Sequence, residues 1–321
     1  MSLREARALA ARKRADADLG FVKAPTFSDA YALWKELKRG AIVSYPDERA
    51  RLEKWVLPYL KAKRLDEITT PMIVALVKPI QAQGKQVTLK RVLAKLKEIF
   101  ILAQCAGYVR TNPVSDVTSI FKSATVKHRP SVEWQTLTET LAIFKDAPPQ
   151  IRILFLWSLC SMLRPGENAK IEKKWIESDV LTMPAEVMKK RRLHRVPITP
   201  YMADLIDAAQ DCSPHPRSKH IFASKRGGHV DSQTLTRWLR KSDLSGELVA
   251  HGIRAIGRTY LEDHGYPVDV CRACLAHVSG TAVDRAYMRS DYFDARRKAM
   301  EDFSLYVQQC AERAGVTIRP T

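Results

Sequence analysis

The chain has 321 residues, of which 53 are Lys or Arg and 35 are Asp or Glu, giving a formal net charge of +18. Its 45% hydrophobic and 27% charged content is that of a globular protein, which excludes a disordered tail, a collagen-like fibre and a disulfide miniprotein. No apolar run approaches the ~18 residues that cross a bilayer. The start, Met1-Ser2-Leu3-Arg4-Glu5-Ala6-Arg7, lacks the apolar core of a secretory signal, so a cytoplasmic protein with no membrane partner is expected. The length suits about two domains at ~100–200 residues each. The six cysteines, at 105, 160, 212, 271, 274 and 310, read as reduced and mostly buried thiols.

A pI near 9.7 draws polyanions, nucleic acid first among them. The excess is not a tail: residues 1–118 hold 22 basic and 12 acidic side chains, and the remainder 31 and 23. Both halves are candidates for phosphate contact, against the plainer reading of a merely basic, soluble surface.

In chain order, Leu3–Asp18 is Ala/Arg-rich and reads as a helix. Thr26 is placed to cap a second, with Phe27, Ala30, Tyr31, Leu33, Trp34 and Leu37 at helical spacing before Gly40. Pro46 and Pro71 open two more, the latter over Met72–Val77. Val87–Ala106 carries Leu89, Val92, Leu93, Leu96, Ile99, Phe100 and Ala103 on one face, with Lys90, Arg91, Lys95 and Lys97 elsewhere. These predict a helical domain over 25–118 with basic outer faces. Residues 119–130, including Lys122, Lys127 and Arg129, read as an exposed basic linker. Beyond 131, Ile151–Leu163 is almost wholly apolar and predicts a buried helix. Val180–Met183 and Arg195–Ile198 are short β-type runs around the charged turn Lys189-Lys190-Arg191-Arg192. Helices are predicted again at Tyr201–Gln210, Ser232–Lys241, His251–His264, Val268–His277 and Asp291–Ala311. The fold class is therefore mainly α with a small antiparallel β-sheet (α+β).

Polar landmarks stand out in 131–321. Arg164-Pro165-Gly166-Glu167 follows the apolar helix, with Pro and Glu placed for a new helix start. Arg164 then lies where a phosphate oxygen could be held, or is a surface arginine capped by Glu167. Lys189, read as the end of a strand-like run Leu181–Met188, could reach a leaving oxygen or belong to a solvated charge run. His251 and Arg254 share one helix face at i and i+3, a proton-transfer group beside an anion clamp, and Gly252 permits close backbone approach. His277 ends a helix, and Tyr287 follows ten residues later as an oxygen nucleophile or a half-buried core aromatic. Cys271-x-x-Cys274 with His277 would face one way on a helix, but a fourth metal ligand is lacking, and buried thiols are the better reading.

In this order and spacing the landmarks resemble the catalytic domain of tyrosine recombinases, the phage integrases. The runs Met183-Pro184-Ala185-Glu186, Met188-Lys189, His194-Arg195-Val196-Pro197, Ala250-His251-Gly252, Leu275-Ala276-His277 and Ala286-Tyr287 are similar to integrases of genomic islands and satellite prophages. The likeness covers about 130–310, with 25–118 resembling the family's core-type DNA-binding domain. It implies that Tyr287 attacks a scissile DNA phosphate to give a 3′-phosphotyrosyl link. Arg164, Arg254 and His277 would hold the non-bridging oxygens, Lys189 would protonate the leaving 5′-oxygen, His251 would assist proton transfer, and Glu167 would buttress the site. Neither ATP nor a metal is required, so no cofactor is expected, and the sequence shows no Walker-type loop. Around Arg164 the chain departs from the pattern: Ser161-Met162-Leu163 stands where a small Thr-Gly lead-in is usual.

The implied partner is double-stranded DNA, at attachment-site core sequences, gripped also by Lys90, Arg91, Lys95, Lys122, Lys127, Arg129, Lys190, Arg191 and Arg192. A homotetramer on DNA is expected, with a monomer admissible when free, DNA-bending or directionality factors as compatible partners, and nucleoid association when bound. Residues 1–24 resemble the closing helix of an arm-binding domain, so arm-site binding is expected to be weak or missing. The apolar surface of Asp291–Ala311 is expected to dock on a neighbouring protomer. A type IB topoisomerase and a decayed DNA-binding regulator are the alternatives.

Overall fold

Thr26 donates both its backbone N–H and its hydroxyl to the Asp29 carboxylate, each at 2.8 Å, closing the first turn of helix α1 (Phe27–Lys38). The computed structural model of the chain describes residues 24–121, 129–277 and 291–319, in two units divided between Val126 and Lys127.

In the first unit, α1 is followed by α2 (Tyr45–Trp55), α3 (Leu57–Leu60), α4 (Thr70–Ala82), α5 (Gln86–Cys105) and α6 (Val117–Ile120). All seven apolar residues of the α5 stripe are buried, packed with Phe27, Trp34, Leu52, Ile73 and Val77 in one core. Gly107, at φ 75°, ends α5: the Tyr108 N–H bonds back to the Ala103 carbonyl at 2.8 Å and the Gly107 N–H to Gln104 at 2.9 Å. Helix α4 runs through Pro79, past the expected stop at Val77, because Leu76, Val77 and Ile80 bury one continuous stripe that holds the last turn in place. The expected linker also starts later than residue 119. Val117–Ile120 is helical, and Val114, Val117 and Phe121 sink into the core.

The second unit opens with a turn at Trp134–Thr136, then α7 (Leu137–Ala142), α8 (Pro149–Ser161) and α9 (Pro165–Asn168). Strands β1 (Ile176–Glu177), β2 (Val180–Met183) and β3 (His194–Pro197) form an antiparallel sheet in that order, with Leu181 opposite Val196 and Met183 opposite His194. Helices α10 (Pro200–Asp211), α11 (Thr234–Leu239), α12 (Ile253–Asp263), α13 (Val268–Cys274) and α14 (Phe293–Arg313) complete it. Helix α8 is the axis: it is buried from Ile153 to Ser161 and packs against α10, α11, α12 and α14. Phe144 stacks between Phe155 and Trp238, at 3.9 and 4.4 Å. Four of the six cysteines are buried.

The C-terminal helix corrects one expectation. Its apolar face does not wait for a neighbour: Met300, Phe303 and Val307 are buried in this unit's own core, and Leu305 is the apolar residue of the helix left 54% exposed. The segment expected to be helical, Leu3–Asp18, lies outside the described residues.

One buried amide fixes the junction of α8 and α9. Asn168 accepts from Trp157 Nε1 (3.0 Å) and Ser161 Oγ (3.1 Å) and donates to Ser158 Oγ (3.1 Å) and the Leu163 carbonyl (3.3 Å). Replacing it with leucine strands these groups in a dry core. Asn168→Leu should therefore lower stability by about 2–4 kcal/mol, read from urea unfolding followed by tryptophan fluorescence. A loss below about 1 kcal/mol would show that the network does not carry this junction.

Candidate active site

Arg164 is delivered by the reversal between α8 and α9, where Met162 takes the left-handed conformation (φ 49°) that the unusual lead-in must adopt. Glu167 follows one turn on. Its carboxylate accepts from Arg164 Nη1 at 2.8 Å, from the Arg164 backbone N–H at 2.9 Å and from the Lys189 backbone N–H at 3.4 Å. The side chains are only 13% and 4% exposed, so the pair is not a solvent-capped surface arginine. Among the described residues the Arg164 guanidinium makes no other hydrogen bond.

Lys189 does not end a strand running through Met188. Strand β2 stops at Met183, since Pro184 has no N–H to extend the ladder, and two turns follow. These are closed by the Val187 N–H to Pro184 (3.2 Å) and the Arg191 N–H to Met188 (2.9 Å). Met188 is buried and anchors the connection, while Lys189, Lys190, Arg191 and Arg192 are exposed.

His251 precedes α12 rather than opening it, in the turn before Gly252. A Cβ at Gly252 would lie 2.1 Å from the Pro130 carbonyl oxygen, so the close approach that this glycine permits is to its own chain. That crossing brings Arg129 to the site. Arg254 is only 4% exposed and donates Nη2 to the Leu275 carbonyl; its Nη1 is buried with no partner among the described residues. Burial, and then Arg164, bring its pKa down to about 10. His277 follows α13, after Ala276 at φ 50°, and its N–H bonds to the Arg272 carbonyl at 2.9 Å. The left-handed residue takes it off the helical face shared by Cys271 and Cys274. Among the described residues no group of three His, Cys, Asp or Glu side chains is placed to hold a metal.

Two exposed histidines of this site, His251 and His277, report how close these cations lie. Desolvation, then Arg129, Arg254, Arg164 and Lys189, bring His251 down to about 4. Desolvation, then Arg254, Arg164, Arg258 and Lys190, do the same to His277. Arg164, Lys189, His251, Arg254 and His277 therefore share one electrostatic site, and both imidazoles are neutral at pH 7. Tyr287 lies outside the described residues.

Two residues that the sequence reading gave no role in the site lie beside this group. His194, at the start of β3, is buried and brought down to about 3 by desolvation, then by Arg296, Arg254 and Arg164. Arg296 is 2% exposed and donates to the Arg195 carbonyl. Phe293 lies under three guanidiniums, those of Arg195, Arg296 and Arg297, at 4.4, 5.6 and 5.2 Å from its ring centre. The signal for Arg296 was present in the sequence: it falls on the same stripe as Ala299, Met300, Phe303 and Val307.

Of the remaining basic residues, Lys90, Arg91 and Arg129 are exposed, whereas Lys95 is held by Glu98 at 2.8 Å, a carboxylate that also takes Lys38 at 2.5 Å. Lys122 and Lys127 lie outside the described residues.

Residues 131–293 match the model of the phage integrase family, and residues 27–120 that of the phage integrase central domain. Prophage integrase IntA of Escherichia coli K12 is 32% identical over 87% of this chain and 69% of its own length. The integrase of Shigella phage Sf6 is 24% identical over 94% and 82%. In fold, the chain is similar to a lambda integrase dimer bound to a core site, with a TM-score of 0.67 at 18% identity over 79% of this chain and 96% of that one. A lambda integrase tetramer bound to a Holliday junction gives the same TM-score over 84% and 78%. With both units matched by family models and a prophage integrase aligned along most of its length, the chain belongs to the phage integrase family of tyrosine recombinases.

Proposed function

We propose that this recombinase cuts and rejoins DNA at attachment-site cores through a covalent 3′-phosphotyrosyl intermediate on Tyr287, without metal or ATP, to integrate and excise a mobile element. The observation that carries the reading is the convergence of Arg164, Lys189, His251, Arg254 and His277 on one site, with a buried donor at Arg254 Nη1 that has no partner among the described residues. A buried guanidinium donor without an acceptor is costly in the free protein and suits an anionic oxygen that arrives with substrate.

The phenolic oxygen of Tyr287 attacks phosphorus, and the P–O5′ bond breaks. Arg164 and Arg254 hold the non-bridging oxygens, where charge builds in the transition state, and His277 adds a neutral N–H donor. The Lys189 ammonium gives its proton to O5′. His251, neutral in the free protein, takes the proton that the Tyr287 hydroxyl releases, once a bound phosphate offsets the surrounding cations. Glu167 orients the Arg164 guanidinium and touches no reacting atom. Religation by a 5′-hydroxyl reverses each transfer, and the phosphodiester energy is conserved in the covalent link.

Lys90, Arg91, Lys122, Lys127, Arg129 and the 190–192 turn grip backbone phosphates, so affinity falls with salt. Lys95 contributes less, because Glu98 already neutralises it. The lambda integrase structures on core-site DNA and on a Holliday junction support duplex DNA as substrate and a tetramer as the working assembly. The helical unit up to Phe121 is assigned to a core-binding domain and residues 131–321 to a catalytic domain, joined by the intervening basic linker.

A nicked suicide duplex carrying the element's core sequence tests the chemistry. The wild-type protein should trap as a covalent DNA adduct, and Tyr287→Phe should form none. An adduct that survives the substitution would remove Tyr287 as nucleophile, and site-independent relaxation of supercoiled plasmid would favour a topoisomerase.

The electrostatics of the free protein are tested by NMR titration of the imidazole Cε1 protons. Both His251 and His277 should titrate near pH 4, shifted upward when a core-site duplex is added. Midpoints near 6.5 in the free protein would show that the cations do not converge as described.

A further inference from the structure

Two locally unfavourable residues meet beneath the arginines. Met162, two residues before Arg164, is completely buried yet sits in the left-handed region, at φ 49° and ψ 19°. Such a conformation disfavours any residue with a Cβ. Gly257 lies inside α12, one turn beyond Arg254, where glycine weakens the helix and no positive φ calls for it. Each explains the other. A Cβ on Gly257 would stand 2.8 Å from Met162 Sδ and 3.1 Å from its Cγ, and 2.8 Å from Cε1 of Phe303 on α14. The methionine side chain occupies the space that a helix-forming residue at 257 would need.

We infer that Met162 seated on Gly257 is a positioning latch, locking the turn that presents Arg164 against the helix that presents Arg254 and so setting the spacing of the two guanidiniums. This rests on the reading of those arginines as the clamp on the scissile phosphate. Neither latch residue touches DNA or a reacting atom. Met162 marks the point where α8 ends and the Arg164 reversal begins, and Gly257 shares a helix face with Arg254 at i+3. The arginines' own hydrogen bonds run elsewhere, Arg164 to Glu167 and Arg254 to Leu275, so neither bond spans the gap between their elements. The methionine does span it. Forcing a Cβ into this contact pushes α12 away from the turn, and two donors aimed at one phosphate tolerate little displacement.

The test uses the full chain as wild type, Gly257→Ala, Met162→Gly and Met162→Gly/Gly257→Ala. Single-turnover adduct formation is measured at saturating suicide duplex, together with affinity for the same duplex and the urea unfolding midpoint. Gly257→Ala should slow adduct formation on the order of 30- to 100-fold while affinity changes less than about twofold. The double variant should recover to within about fivefold of wild type, since removing the methionine gives both the new methyl and the Phe303 ring room to settle. Wild-type cleavage by Gly257→Ala, or a double variant no faster than the alanine variant, would overturn the latch. Unfolding midpoints supply a readout independent of the chemistry: the alanine penalty should shrink in the Met162→Gly background, and additive penalties would contradict the contact. Should the wild type form no adduct, the phosphate-clamp reading fails and the positioning role with it, a failure recognisable because coupling between the unfolding midpoints would persist.

Discussion

A single buried carboxylate holds the site together. Glu167 is a charge in a nearly dry position, and such a group is tolerated only if it is paired and hydrogen-bonded. Its partners are the guanidinium and backbone of Arg164 and the backbone of Lys189, so two cations from distant parts of the chain are fixed by one anion. The carboxylate also supports Arg254, opposing the fall in its pKa that burial and Arg164 cause. Beneath it, the Asn168 network fixes the turn on which Glu167 stands. The order of dependence runs from the buried α8 axis to Asn168, to Glu167, and then to the cations.

The +18 charge is proposed to have two uses. On that proposal, exposed lysines and arginines on the outer faces are interchangeable contributors to polyanion affinity. The small cluster around Arg164 and Arg254 is different, because it adds positive charge beside imidazoles that are already desolvated. Desolvation lowers His194, His251 and His277 most, and Arg164 and Arg254 push all three down further. A site arranged this way is strained while empty and relieved by an anion, which is the condition for charge stabilisation in a transition state.

Much of this was legible in the sequence, and the failures share a cause. The α5 stripe announced burial through periodicity and α8 through its nearly unbroken apolar run, and the order of Arg164, Lys189, His251, Arg254 and His277 announced the family. Periodicity says that a face is covered without saying by what. Met300, Phe303 and Val307 were assigned to a neighbour when α8 and the rest of the same core cover them. Strand β2 and helix α4 show opposite outcomes of proline, decided by whether a buried stripe continues past it. His194 and Arg296 were given no role in the site because polar types on apolar stripes read as exceptions, whereas both are buried here and Arg296, Arg254 and Arg164 all act on His194. Met162 was visible as a departure from the family pattern, but its consequence required seeing Gly257 across the contact.

The role of Glu167 as the common anchor is tested most directly by Glu167→Gln, which keeps the shape and removes the charge. At saturating duplex its single-turnover cleavage rate should fall at least about 30-fold, while duplex affinity stays within about twofold, because the phosphate-gripping surface is untouched. A variant that cleaves at the wild-type rate would show that Arg164 and Lys189 are positioned by something other than this carboxylate.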